Sequence, residues 1–285
     1  HPFYSRLTIY LIERIALATI IPATILHFLL ILKFFNGNLV LRQIFTNPTL
    51  IGYSTFFSIF LLVRLLDELK DKPHDDQYYK ERPVQRGLIT LAEIRATVAV
   101  IIIVLAVTHL GASAEAQMTF LALLIFLFLM RYEFFIERVL TKNIILYAIV
   151  HQLFVPILLQ YLSYQLGYNI PITHFIGFVV LNWLMIFAIE VARKIRATND
   201  DQTGKDTYSA TVGRFGASLF LMGLLVGVAY LFSILFHLVW LPWLSISPVL
   251  IACVYYYLTD SRISSKLVLI ATTLNLTISM IGALR

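Results

Sequence analysis

The sequence predicts an all-α, polytopic membrane helix bundle of nine transmembrane helices, with cytoplasmic cap loops after the second and the sixth. Three observations carry that prediction. Of 285 residues 59% are hydrophobic and 13% charged, against about 25% charged in soluble domains, and the mean hydropathy is +0.83. The apolar residues fall into nine runs near the roughly 20 residues that a hydrocarbon core about 30 Å thick requires. The Lys and Arg residues divide 19 to 3 between the two sides that nine spans define. A missed helix would swap the sides of everything downstream and destroy that asymmetry.

In chain order the runs cover 9–32, 48–66, 96–110, 116–130, 144–166, 172–189, 217–237, 243–258 and 267–284. Several are short for a full crossing, so neighbouring polar ends are expected to extend them. The basic side holds the N-terminus and the loops after spans two, four, six and eight. By the positive-inside rule these are cytoplasmic and the C-terminus is external. No cleavable signal peptide is read, and the whole chain, 1–285, is taken as one transmembrane domain. The net charge of +6 does not point to nucleic acid, because the basic residues separate apolar runs instead of lining a soluble face. Membrane lipid is the implied surrounding. The lone Cys253 sits in an apolar run and excludes an internal disulfide or a multi-cysteine metal site.

Of 16 carboxylates, 7 lie between Asp67 and Glu93 and 4 between Glu190 and Asp206. Asp67, Asp71 and Asp75 recur at i,i+4 spacing after the second span, which places them on one helical face. Pro73 disfavours continuing that helix, so Asp75 is expected to fold back on a turn. Such a cluster suits Mg²⁺, which takes one or two carboxylates and completes its octahedron with water and phosphate oxygens. The competing reading is a solvated loop laced with ion pairs to Lys70, Lys72 and Lys80. His27, His109 and His237 lie near span ends and are read as packing residues. Glu190 closes an apolar helix, where the macrodipole disfavours an anion, so it needs a partner: a metal or one of the bases Arg193, Lys194 and Arg196.

The stretch Asp67-Glu-Leu-Lys-Asp71-Lys-Pro-His-Asp75, followed by Arg82-Pro83-Val-Gln-Arg-Gly87, resembles the first aspartate-rich motif of the UbiA superfamily of intramembrane prenyltransferases, N-D-x-x-D-x-x-x-D and then R-P-x-x-x-G. Here Asp67 stands for the leading Asn and Glu68 for the following Asp. Tyr132-Glu-Phe-Phe-Ile-Glu137-Arg138, with Asn143 and Pro156, is similar to the family's Tyr-Ser-x-x-Leu-Lys-Arg run, with Glu137 in place of the Lys. The second family motif, D-x-x-x-D after the sixth helix, is matched by Asp200, Gly204 and Thr207, but Arg196 occupies the place of its first carboxylate. Either Glu190 substitutes for that carboxylate, or Arg and Lys hold diphosphate on this side.

The resemblance implies Mg²⁺-dependent transfer of an isoprenoid chain from a prenyl diphosphate donor to a lipophilic acceptor. It implies catalytic roles for Asp71, Asp75 and Lys194. Metal ligation falls to Asp67, Asp71, Asp75, Glu190 and Asp200, and substrate contacts to Arg82, Tyr132, Arg138, Asn143, Arg193 and Lys205. A terpene cyclase on the same fold would quench the cation internally without an acceptor. A cation transporter is the alternative from another class, but transport paths carry ionisable residues at membrane depth, and spans three and five to eight have none at their centres.

Overall fold

The computed structural model describes residues 2–200 and 207–285. Among the described residues every regular element is helical. Nine of these helices are long and apolar enough to cross a membrane: α1 Leu17–Asn36, α2 Asn47–Tyr78, α3 Leu91–Thr108, α4 Ala114–Arg131, α5 Ile144–Gln165, α6 Ile172–Arg193, α7 Tyr208–Phe236, α8 Leu241–Thr259 and α9 Arg262–Leu284.

The helix boundaries move from those expected for identifiable reasons. The first span does not start at residue 9, because Ala16 is left-handed at φ 51°. A helix Phe3–Tyr10 and a π-helical turn Leu11–Ile15 precede it. The polar ends do extend other spans: Thr90 and Glu93 close a capping box that starts α3, and Ser261 with Ser264 does the same for α9. The seventh span reaches back to Tyr208 across a bend at Gly213, whose φ of 74° only glycine adopts cheaply. In α5 the regular helix lapses at Gln152 and Leu153. Pro156 causes this, since it has no N–H for the carbonyl of Gln152 and its ring crowds that carbonyl.

The expected turn at Pro73 does not occur. Helix α2 runs 32 residues through Pro73 to Tyr78, or about 48 Å at 1.5 Å per residue, well beyond a hydrocarbon core of about 30 Å. Its last turns therefore stand clear of lipid and carry the acidic stretch. An interior proline costs about 3 kcal/mol, and ion pairs beyond it offset that cost. The chain closes the helix when Tyr79 N–H donates to the Asp75 carbonyl at 2.8 Å.

The chain forms two compact units, His1–Phe135 with Gln160–Asn169, and Ile136–Leu159 with Ile170–Arg285. In the first, Phe28 and Phe56 pack at 5.8 Å between α1 and α2. A buried polar chain links the helices further on: His109 Nε2 lies 2.6 Å from the Tyr161 hydroxyl, which donates to Thr55 at 3.2 Å. His109, the C-cap of α3, is thus a packing residue at a span end, stacked on Phe120 at 4.0 Å, that is also hydrogen-bonded in the core. In the second unit Asn275 donates to the Ser245 hydroxyl at 2.8 Å across α8 and α9. Each group finds a protein partner because lipid offers none. Replacing Tyr161 by Phe strands His109 Nε2 and should destabilise the protein by about 1–3 kcal/mol. Thermal unfolding in detergent or nanodiscs measures it, and an unchanged midpoint would contradict the role given to this hydroxyl.

Candidate active site

The acidic end of α2 separates into two environments. On one side the Lys70 ammonium gathers three carboxylates, with Asp67 at 3.5 Å, Asp71 at 3.9 Å and Glu133 at 3.1 Å. The side chains of Asp67 and Asp71 remain 33% and 47% exposed. On the other side, Asp75 and Glu68 are buried. Asp75 is paired with Arg82 and, at 3.7 Å, with Arg14. Arg14 Nε donates to Glu68 Oε2 at 2.8 Å. The i,i+4 spacing thus places Asp67 and Asp71 on the ammonium side, whereas Asp75, one turn further, turns to the guanidinium groups. Lys72 pairs with Asp76 on the exposed surface, as the solvated-loop reading expects, but Lys70 does not belong to such a surface.

Arg82 is placed by a compact turn. Leu88 N–H donates to Pro83 O at 2.8 Å and Gly87 N–H to Val84 O at 3.1 Å, a Schellman closure with Gly87 in the left-handed position at φ 76°. This gives the R-P-x-x-x-G spacing a physical reason. The Arg82 guanidinium lies 3.7 Å from the centre of the Tyr79 ring, which fixes its plane.

After α4 the chain makes a left-handed turn through three non-glycine residues, Glu133, Phe134 and Phe135, at φ 50°, 53° and 59°. Each costs about 1–2 kcal/mol in that conformation. The turn delivers Glu133 to Lys70 and seats Phe134 against Phe126 at 5.2 Å. Tyr132 is exposed and stacks on Phe135 at 5.9 Å. In the second unit, Arg138 is exposed, and Asn143 caps the first part of α5 by accepting the N–H groups of Ile145 and Leu146 at 3.0 and 3.1 Å.

The second cluster lies at the end of α6. Glu190 accepts from Arg193 at 2.7 Å and pairs with Lys194 at 3.1 Å, so the partner that its helix-end position demands is a pair of bases. Lys194 Nζ sits 6.0 Å over the Tyr147 ring. The Lys194 carbonyl accepts from Tyr208 N–H at 3.1 Å. Asp200 stands apart, 3.8 Å from Arg262 in an exposed pair. Lys205 lies outside the described residues.

The residues of the first cluster suit a hard divalent cation. They offer oxygen donors only, three carboxylates share one ammonium, and Asp67 and Asp71 are accessible. Among the described residues no three His, Cys, Asp or Glu side chains form a group that could hold a metal ion by themselves, so a cation here would need water or phosphate oxygens to complete its shell.

Residues 42–268 match the UbiA prenyltransferase family. This chain belongs to that family. With nine apolar helices among its described residues, this family member is an integral, multi-pass membrane protein. Solved structures share its fold. One, from a study of digeranylgeranylglyceryl phosphate synthase in membranes, has a TM-score of 0.59 at 16% identity, covering 98% of this chain and 99% of its own. Another, the apo structure of a UbiA homologue from Aeropyrum pernix, has a TM-score of 0.60 at 16% identity, covering 90% and 98%. No curated protein sequence matches the chain.

Sequence reasoning missed that Arg14 and Glu133 reach the acidic end of α2 in this UbiA protein. The signal for Arg14 was present: Glu13 and Arg14 fell inside the run expected to be the first span, which no isolated lipid-facing helix would carry. The burial contrast generates a test. Asp75→Asn removes the buried partner of two guanidinium groups and should cost about 3 kcal/mol, the low end because Arg14 and Arg82 are 27% and 23% exposed. Asp67→Asn, partly solvated, should cost under about 1 kcal/mol. Equal small shifts in melting temperature would show that Asp75 is not held as described.

Proposed function

We propose that this protein transfers an isoprenoid chain from a prenyl diphosphate donor to a lipophilic acceptor within the membrane, with Mg²⁺ held by Asp67 and Asp71. The observation that carries this reading is the gathering of Asp67, Asp71 and Glu133 on the Lys70 ammonium, on a part of α2 that outruns the hydrocarbon, one turn before Asp75 and Arg82. Membership of the UbiA family supports the reaction class.

In the reaction the allylic C–O bond breaks, its electron pair leaves with the diphosphate, the acceptor's nucleophile bonds to the allylic carbon, and the acceptor loses a proton. Mg²⁺ bound at Asp67 and Asp71 would offset the negative charge that develops on the departing diphosphate. Arg82 presents a planar guanidinium fork to phosphate oxygens, oriented from below by Tyr79 and from the side by Asp75. We assign Arg193 and Lys194 to phosphate recognition as well. Glu190 holds their side chains in place and lowers the entropy lost on binding.

Asp71→Ala should reduce Mg²⁺-dependent release of diphosphate from an allylic diphosphate by on the order of 100-fold or more while membrane insertion stays intact. Full turnover by this variant would overturn the assignment. We further propose that the N-terminus and the basic loops face the cytoplasm and that the C-terminus is external, on the 19 to 3 division of basic residues. Cysteines introduced at positions 77 and 202 should then resist a membrane-impermeant reagent applied from outside, and labelling at either position would reverse the orientation.

A further inference from the structure

Thirteen residues ahead of the first span, Phe3–Tyr10 and Leu11–Ile15, are engaged with the aspartate-rich region at several points. Arg6 donates to the Leu88 carbonyl at 3.2 Å and to Glu93 Oε2 at 3.1 Å. Glu13 accepts from Arg86 at 2.8 Å, and this hydrogen bond holds the Glu13 carboxyl below its ordinary pKa. Arg14 Nε donates to Glu68 at 2.8 Å, and Arg14 Nη2 lies 3.7 Å from Asp75 Oδ2. Tyr10, itself buried, lies with its hydroxyl 3.4 Å from the same Glu68 oxygen. Burial, and then the Glu68 charge, push that hydroxyl's pKa up, so it remains a donor. Phe3, Tyr4 and Ile12 are exposed, so the segment is amphipathic and its polar side chains reach the end of α2 and the turn that follows it.

The consequence lies in how Asp75 is shared. Arg14 and Arg82 approach the same oxygen, Asp75 Oδ2. One carboxylate divided between two guanidinium groups cannot neutralise either fully. Without Arg14, Asp75 keeps Arg82 and, at 3.6 Å, the His74 ring, and the buried Glu68 loses a guanidinium partner. Arg82 is already the nearer partner of that oxygen, and without the Arg14 charge beside it Asp75 would hold Arg82 more tightly, with less of its charge available to a phosphate oxygen.

We infer that Arg14 is a positioning residue of the donor site: by occupying Glu68 and part of Asp75 it keeps the Arg82 fork open for diphosphate, which makes the segment ahead of α1 a working part of the enzyme. This rests on the prenyl diphosphate reading above.

The test compares steady-state kinetics on an allylic diphosphate for the full chain in nanodiscs. Arg14→Gln should raise the donor KM by about tenfold with kcat changed less than about twofold, the signature of lost ground-state binding. Arg14→Lys, which returns the charge without the fork, should recover part of the loss. Glu68→Gln keeps the shape of the buried side chain and releases Arg14, so it should move KM in the same direction even if Arg14→Gln folds poorly. A lowered melting temperature with the donor KM unchanged in Arg14→Gln and Glu68→Gln would overturn the inference and leave the prenyltransferase reading standing. If the wild-type protein neither turns over an allylic diphosphate nor is stabilised by Mg²⁺ with inorganic diphosphate, the prenyl diphosphate reading is overturned and this inference with it.

Discussion

A carboxylate withdrawn from water must keep a cation within reach, because the desolvation it suffers is several kcal/mol and nothing apolar returns it. That constraint organises the end of α2. Asp75 and Glu68 are buried and are met by guanidinium groups; Asp67 and Asp71 stay near solvent and share an ammonium. The same requirement decides the second cluster, where Glu190 at a helix C-terminus is met by Arg193 and Lys194. The continuation of α2 through Pro73 also follows from it, since the contacts of Asp75 lie beyond the proline and are lost if the helix stops before it.

The nine spans of the described residues were legible because lipid imposes one demand on every stretch of backbone, and that demand writes itself as apolar length and as a bias of basic residues. The first and seventh boundaries were less legible. A left-handed Ala16 carries no sequence signal, and Gly213 reads like any other helical glycine until its φ is known. Asp67, Asp71 and Asp75 could be read from their i,i+4 spacing, whereas Arg82 and Gly87 came only with the family resemblance, to which the turn that Gly87 closes gives a physical reason. The partners of Arg14 and Glu133 could not be read, although charges at Glu13 and Arg14 inside an apolar run were a signal that the segment is not a plain span. Arg14 meets Glu68 across 54 residues, and no periodicity spans such a distance. Glu133 is aimed by a backbone conformation that its own sequence does not favour.

Asn143 illustrates a different limit. A resemblance carries residue types from one chain to another, but a side chain has few hydrogen bonds to give, and the Asn143 carbonyl is spent on two backbone N–H groups of α5. That leaves its amide N–H groups as the donors it could offer to anything else. Asp200 is similarly occupied with Arg262.

The left-handed turn at Glu133, Phe134 and Phe135 has a further consequence. Three residues held against their own preference do not hold themselves; Lys70 and the ring of Phe126 do. Without those contacts the lower-energy course for the backbone is right-handed, and Glu133 would swing off the ammonium. The segment therefore takes its native form from its neighbours, the Lys70 ammonium and the Phe126 ring among them.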